Sequence, residues 1–418
     1  MLYLFRKMMR SIFRTGQLKV IEPDGKACDY GDGTGKAVVV RIKDRRTILK
    51  LLVHSDLYLG EAYVDGTLTM EQGSIYDLLA LATDNLAKND PIAALEALRK
   101  LRIVVRRLEE YNPVGRASKN VAHHYDLSGE LYDLFLDRDR QYSCAYFEVP
   151  GLSLGEAQLA KKRHLAAKLD IHPGMRVLDI GSGWGGMGLY LAEVCGADVT
   201  GVTLSQEQHK LSNARAHQRG IEDKVRFELL DYRRLDDQFD RIISVGMFEH
   251  VGIGHYGEFF DHVHALLKPD GVACLHSISR ANGPSPTSAW IRKYIFPGGS
   301  MPALSEVLPH IERSGLYVTD VEILRMHYAE TLRHWRRRFA DHRDKAREIY
   351  DERFCRMWEF YLAGSECSFR FDFLNNFQIQ MTRNRDVLPL TRNYISREEE
   401  RLRRIDSKRR QLASVRSR

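Results

Sequence analysis

The chain has 418 residues, of which 44% are hydrophobic and 28% charged, with a formal net charge of +7. This length and composition suit two or three domains around a sizeable core, and they exclude a disordered or fibrous chain. No apolar run is long enough to cross a bilayer and no signal-peptide core is visible, so a cytoplasmic location is expected. Cysteines at 28, 144, 195, 274, 355 and 367 form no close pair, and there is no HExxH. Neither a metal site nor a disulfide framework is therefore expected.

Residues 1–19 carry five basic side chains and no acid. Leu4, Phe5, Met8, Met9, Ile12 and Phe13 share one face of a predicted helix, a pattern that suits either a membrane interface or packing on the protein body. Residues 20–110 read as a small mixed unit. Ala37–Ile42 is a strand, Thr47–Leu52 a strand or a helix start, and Gly60 and Gly66 are turn points. Helices follow over Ile75–Thr83 and Ile92–Leu108, and the YNPVG run at 111–115 marks a boundary.

The aromatic and histidine-rich stretch 120–147 is predicted helical over Gly129–Leu136 and extended over Gln141–Phe147. A helix over Glu156–Leu169 comes next. Strands are then predicted at Arg176–Ile180, Asp198–Val202, Val225–Leu229, Phe239–Val245 and Gly271–Ser277. Helices over Gly185–Val194, Ser205–Arg219 and Tyr256–Leu267 separate several of them, which argues for a mostly parallel sheet covered on both faces. Residues 279–300 read as an insertion or lid. A strand near Val318–Leu324, helices over Tyr328–Phe339 and Lys345–Leu362, and strands around Ser368–Gln380 complete the pattern. Residues 396–418, with nine basic and four acidic side chains, read as a solvated helix fraying into a tail.

The strongest local signal is VLDIGSGWGG at 177–186, in which a strand ends at Asp179 and a glycine loop opens a helix. Gly181 and Gly183 permit a tight turn and close approach of a ligand. Gly181, Gly183 and Gly186 also satisfy G-x-G-x-x-G, which equally suggests a dinucleotide. The ribose-binding acid expected of a dinucleotide site is missing from the end of the second strand, which reads VTLS. Acids stand instead at Asp179 and, after the third strand, at Asp231.

Six separated pieces resemble the cyclopropane fatty acid synthase family, which includes mycolic acid methyltransferase relatives. They are HHYDLSGELYDLFL (123–136), QYSCAYF (141–147), VLDIGSGWGG (177–186), GVTLSQEQ (201–208), FEHVG (248–252) and LHSI (275–278). Ser182 is a small departure, standing where many relatives have cysteine. The resemblance implies an α/β fold, a Rossmann-like S-adenosylmethionine (SAM)-dependent methyltransferase sheet with a small mixed N-terminal lipid-binding domain. The implied division is a basic amphipathic segment (1–19), a lipid-docking domain (20–110), a catalytic domain (111–390, with 279–300 as candidate lid) and a basic C-terminal tail (391–418).

The resemblance also implies methyl transfer from SAM to the cis double bond of an unsaturated phospholipid acyl chain. Loss of a proton to bound bicarbonate then closes a cyclopropane ring. The implied bicarbonate cage is Cys144, Glu249, His276, the backbone at Ile278, and Tyr328. Glu249 is expected either to take the bicarbonate proton or to fix the His276 tautomer. The implied cofactor positions are Tyr142, Ser143, Gly181, Gly183, Thr203, Gln208 and Tyr232, with Asp179 and Asp231 added from the strand ends. Tyr146, Phe147, Trp290, Phe360, Tyr361 and Phe369 are candidate walls of an acyl channel. A membrane-surface partner at the inner face of the cytoplasmic membrane and a homodimer are expected, and no nucleic acid. The alternatives are a methylene- or methyl-branched product without ring closure, and a lipid binder without turnover.

Overall fold

The structure, a computed structural model, describes residues 1–88 and 127–416. The expected helix over Ile92–Leu108, the YNPVG boundary and the start of the HHYDLSGELYDLFL motif lie outside the described residues.

Residues 1–88 run α1 (Leu2–Ile12), β1 (Gln17–Ile21), β2 (Ala27–Tyr30), β3 (Ala37–Ile42), α2 (Arg45–Val64), β4 (Leu68–Gln72) and α3 (Ile75–Lys88). The four strands form one sheet in the order β2-β1-β3-β4. Alternation puts Leu18 and Val20 of β1, and Val38, Val40 and Ile42 of β3, on its buried face. Thr47–Leu52 belongs to helix α2, whose N-terminus is capped by the Asp44 carboxylate accepting from the Thr47 backbone N–H at 2.7 Å. Gly66 sits at a turn with φ +71°, but Gly60 lies inside α2. A Cβ at Gly60 would stand 2.4 Å from Trp290 Nε1 and 2.8 Å from Phe360 Cε1, so glycine here lets the helix approach the rest of the molecule.

The larger part runs α4 (Gly129–Phe135), α5 (Leu154–Lys168), β5 (Arg176–Ile180), α6 (Gly186–Cys195), β6 (Asp198–Thr203), α7 (Gln206–Arg219), β7 (Val225–Leu229) and β8 (Phe239–Val245). It continues α8 (Tyr256–Leu266), β9 (Leu267–Arg280), α9 (Ala289–Tyr294), α10 (Leu304–Arg313), β10 (Tyr317–Ile323), α11 (His327–Asp341), α12 (Arg343–Ile349), α13 (Glu352–Phe371), β11 (Leu374–Thr382) and α14 (Asn393–Arg416). The seven-stranded sheet has the order β10-β11-β9-β8-β5-β6-β7. Strands β5 to β9 pair in parallel, and β11 pairs antiparallel with both its neighbours. The order reverses beside β5, where an open α/β sheet forms a crevice at its carboxyl edge.

Two expectations are corrected here. Ser368–Phe371 is the last turn of helix α13 and not a strand, and the strand begins at Leu374. The predicted helix over Lys345–Leu362 is two helices, because Asp351 ends one and caps the next by accepting from the Phe354 N–H.

The basic C-terminal segment is a docked helix, not a solvated one. Leu402 of α14 is buried, and Asp406 accepts from Arg163 of α5 at 3.0 Å with both side chains 7% exposed. Arg163 keeps a second partner in Glu148 at 3.1 Å. Replacing Asp406 by alanine therefore strands only part of a buried cation. A loss of ~1–3 kcal/mol is expected, read as a lower urea midpoint. An unchanged midpoint would show that the Arg163–Asp406 pair adds nothing to stability. In the 279–300 segment, α9 is clamped to the N-terminal unit. Ser288 Oγ donates to Asp56 at 2.7 Å, and Lys293 pairs with Glu61 at 2.6 Å. Among the described residues no helix is long and apolar enough to cross a membrane.

Candidate active site

Two cavities meet at the carboxyl edge of the large sheet. The first, of about 150 Å³, is lined by the glycine loop and by the ends of β5, β6, β7 and β8. Asp179, Gly181, Gly183, Thr203, Gln208, Asp231 and Tyr232 all line it. The second, of about 670 Å³, is mostly apolar, and Cys144, Glu249, His276, Ile278 and Tyr328 line it. Tyr142, Ser143, Gly246 and His250 line both, and so form the shared wall.

The first cavity is shaped by backbone. The N–H groups of Gly181 and Ser182 both donate to the Val202 carbonyl at 3.0 Å, which ties the loop to β6. Ser182 Oγ donates a further bond to that carbonyl at 3.4 Å, so the serine side chain adds to the tie. Gly181 has φ +79°, and a Cβ there would lie 2.7 Å from Met247 Cβ. Asp179 is buried with one carboxylate oxygen unpartnered among the described residues. Burial pushes its pKa up to about 7, against the backbone N–H of Gly188 and the nearby Lys161. Asp231 is engaged differently. Burial raises its pKa, but the Arg233 side chain and backbone bonds outweigh that and hold it below the ordinary value. Thr203 donates to Gln208 Oε1 at 2.7 Å, so those two expected cofactor residues brace one another. Tyr232 packs edge-on against Phe259 and His262.

The shared wall rests on two α5 side chains that the sequence reading did not single out. Gln158 Nε2 donates to the Ser143 carbonyl at 2.9 Å and to the Gln141 carbonyl at 3.3 Å. Lys161 is fully buried, and its Nζ donates to Ser143 Oγ and to Gln141 Oε1, each at 2.7 Å. Burial lowers its pKa to about 8, with Asp137 pulling the other way. Its neighbour Lys162 is paired with Asp139 at 2.6 Å, whereas Lys161 has no carboxylate at ion-pair distance among the described residues. Tyr142 meets Tyr361 hydroxyl to hydroxyl at 2.8 Å, inside a cluster with Tyr132, Phe135 and Trp335.

In the second cavity Glu249 is half-buried as a residue but its carboxylate is buried, and that burial raises its pKa to about 7. Its Oε1 accepts from the Ile278 N–H at 2.6 Å, and its Oε2 has no partner among the described residues. The Ile278 N–H, whose backbone belongs to the expected cage, is bonded to Glu249 here. Of the two roles expected of Glu249, the geometry does not favour the tautomer role. His276 Nδ1 is bonded at 3.2 Å by Gln378 Nε2, from the residue paired with it across β9 and β11, and not by Glu249. With Gln378 donating, the ring proton of His276 sits on Nε2, which has no partner among the described residues. Burial drives the His276 pKa well below its ordinary value, so the ring is neutral. The Cys144 thiol donates to the Ala145 carbonyl at 3.3 Å, and burial pushes its pKa far up, so it is no thiolate. Tyr328 packs against Trp335 and Phe369.

Of the candidate channel aromatics, Trp290, Phe360, Tyr361 and Phe369 line the second cavity. Tyr146 and Phe147 are not among its lining residues. Tyr146 is sandwiched between His164 and His327, at 4.2 and 5.1 Å, and Phe147 stacks on His334.

The mycolic acid cyclopropane synthetase family model matches residues 114–379. The chain belongs to that family. It is a SAM-dependent methyltransferase. Residues 4–89 match a separate model, a domain of unknown function. The chain is 36% identical over 344 residues to the cyclopropane-fatty-acyl-phospholipid synthase of Escherichia coli, covering 82% of this chain and 87% of that one. It is 34% identical over 380 residues to a tuberculostearic acid methyltransferase of Mycobacterium tuberculosis, covering 88% of each. A crystal structure of a mycolic acid cyclopropane synthase complexed with SAH and CTAB superposes with a TM-score of 0.61 at 34% identity, covering 65% of this chain and 99% of that one.

Proposed function

We propose that the protein transfers the SAM methyl group to the cis double bond of an unsaturated phospholipid acyl chain. A cyclopropane ring then closes as the added carbon loses a proton. The observation that carries this reading is the wall shared by the two cavities. A glycine-lined cavity carrying Asp179, Thr203, Gln208 and Asp231 and a larger, mostly apolar cavity meet at Tyr142, Ser143, Gly246 and His250. A reaction between a sulfonium methyl and a buried alkene needs such a junction, with water excluded.

SAM, when bound, supplies an electrophilic methyl group, and the glycine loop, Thr203, Gln208 and Tyr232 are the residues that hold it. Bicarbonate fits the second cavity by one donor and one acceptor: the His276 Nε2–H, which can donate to it, and the Glu249 Oε2, which can accept its O–H, are buried polar atoms without partners among the described residues. Bicarbonate would supply a base there, held by His276, Tyr328 and Glu249. Glu249, half ionised near neutrality, accepts a proton at Oε2 while Oε1 stays fixed on Ile278. Gln378 keeps His276 as a donor on Nε2. Membrane-surface association is supported by the N-terminal unit, where Tyr3, Leu4, Leu49, Val53 and Leu86 are exposed and Lys7, Arg10 and Arg14 stand on or beside α1.

Lys161 holds the shared wall through Ser143 and Gln141 and sets a buried positive charge behind the cofactor cavity. Lys161→Met is expected to weaken binding of S-adenosylhomocysteine about tenfold, ~1.4 kcal/mol. Methylthioadenosine, which lacks the carboxylate, should bind the variant and the wild type alike. Calorimetric titrations of both ligands check this, and an equal loss for both would assign Lys161 a purely structural role.

The reading itself is tested by incubating the protein with SAM, bicarbonate and vesicles of a monounsaturated phospholipid. Acyl chains one CH2 heavier, with strongly shielded ring protons in the NMR spectrum, are expected. Vinylic protons at the same mass would point to the methylene product. The similarity to a tuberculostearic acid methyltransferase makes that the second reading.

A further inference from the structure

The second cavity does not end at the reaction residues. It continues from Glu249 and His276 into residues 1–88, where Leu18 and Val20 of β1, Val40 and Ile42 of β3, Phe5 of α1 and Phe13 just after that helix line it. These six side chains are at most 6% exposed; the four strand residues form the core face of the small sheet, and the two phenylalanines belong to the same core cluster. Protein cores are ordinarily packed without voids larger than a water molecule, and an empty apolar void is destabilising. The cavity, about 670 Å³ in all and shared by both units, reaches into this core, which is therefore built for an apolar occupant.

We propose that the N-terminal unit is the distal half of the acyl site: it houses the methyl-side segment of the substrate chain, beyond the double bond, and so gauges that segment's length. This rests on the proposed acyl-chain chemistry. The direction of entry follows from charge. Among residues 1–88 the only charged side chain lining the cavity is Asp56, an anion that repels a phosphate. A phosphodiester headgroup cannot be buried among Phe, Leu, Val and Ile without a cationic partner, so the methyl end enters this chamber and the headgroup stays outside. The two units join where α13 packs on α2 and α3, and Gly364 of α13 lines the cavity there. A Cβ at Gly364 would lie 3.8 Å from Leu79 Cδ1, an ordinary contact, and the residue is in regular helix. Glycine in a helix interior costs stability relative to larger residues, so open space at this junction is the feature it provides.

The experiment compares the full-length wild type with Gly364→Leu and Ala82→Phe, the latter a second narrowing of the same chamber from α3. Vesicles of phosphatidylglycerol carry palmitoleoyl, vaccenoyl or oleoyl chains. Palmitoleoyl and vaccenoyl share one methyl-side length, oleoyl has a longer one, and vaccenoyl differs from palmitoleoyl only on the carboxyl side. Each narrowed variant should lower the oleoyl-to-palmitoleoyl ratio of kcat/KM by about tenfold or more, the loss of one or two methylenes' worth of pocket. The vaccenoyl-to-palmitoleoyl ratio should stay within about twofold, well under that loss. A uniform fall for all three lipids, or vaccenoyl falling with oleoyl, overturns the proposal. Binding of cis-parinaric acid, read by fluorescence, gives an answer that needs no turnover. If the wild type consumes no lipid but binds parinarate, and the variants bind it less, the chemistry fails and the chamber stands. Equal parinarate binding by all three proteins overturns the chamber whatever the turnover.

Discussion

Glu249→Gln is expected to lower product formation by ~10²–10⁴-fold while leaving S-adenosylhomocysteine binding unchanged. The side chain lines only the acyl cavity, so the cofactor cavity keeps its full set of contacts. Glutamine matches the shape of glutamate but cannot take up a proton. Oε1 accepts from the Ile278 N–H at 2.6 Å, and the amide oxygen of glutamine can keep that bond, so the fold should survive. The pH profile gives a second readout. Burial raises the Glu249 pKa to about 7, so the ionised, proton-accepting form grows as pH rises through that value. Turnover at saturating SAM should therefore rise between about pH 6 and 8, and the glutamine variant should lack that limb. Asp179 also titrates near 7, but it lines the cofactor cavity, and its ionisation belongs to SAM affinity rather than to turnover at saturation. A glutamine variant that turns over at the wild-type rate with the wild-type profile removes Glu249 from the chemistry.

Gly181→Val is expected to raise the dissociation constant for S-adenosylhomocysteine about 100-fold or more, roughly 2.7 kcal/mol. Two costs add at this position. Its φ of +79° lies in the left-handed region, which costs a residue with a Cβ ~1–2 kcal/mol. The new Cβ would also lie 2.7 Å from Met247 Cβ, and backbone must move to relieve it. That backbone carries the N–H bonded to the Val202 carbonyl, so the loop loses its tie to β6 at the floor of the cavity. Gly183 is the internal control. It also has positive φ, +54°, but a Cβ there meets nothing within 4 Å, so Gly183→Ala should cost much less. Calorimetry on variants that keep a cooperative melt checks both. Binding by the valine variant within about threefold of wild type, a difference of under ~1 kcal/mol, would contradict the assignment of the loop to the cofactor.

The large sheet was legible because each strand from Arg176 to Ser277 is a short apolar run bounded by turn residues, and the helices between show their own period. The last elements were harder. Ser368–Phe371 carries two phenylalanines, which favour strands, yet α13 carries it as helix, with Cys367 and Phe369 buried. Gly60 read as a turn because a glycine demanded by close helix packing looks the same in sequence as a glycine demanded by positive φ. The site residues were found where the resemblance supplied a motif. What supports them was not. Gln378 reaches His276 only through the antiparallel pairing of β11 with β9, more than a hundred residues away in sequence. Lys161 stands in a KKRH run that reads as a solvated charged face, and only the docking of α5 against the shared wall buries it. Asp231 was legible as a strand-end acid but not as a carboxylate already held by Arg233.

The central claim is that the SAM methyl carbon becomes the ring carbon of a lipid, and an isotope experiment tests it most directly. The protein is supplied with SAM carrying a trideuterated methyl group and with vesicles of a monounsaturated phospholipid, and the modified acyl chains are examined by mass spectrometry and NMR. The account predicts a cyclopropane whose added carbon keeps two of the three deuterons, the third having left as the ring closed. An added carbon that keeps all three deuterons, or a chain that gains none, would contradict it.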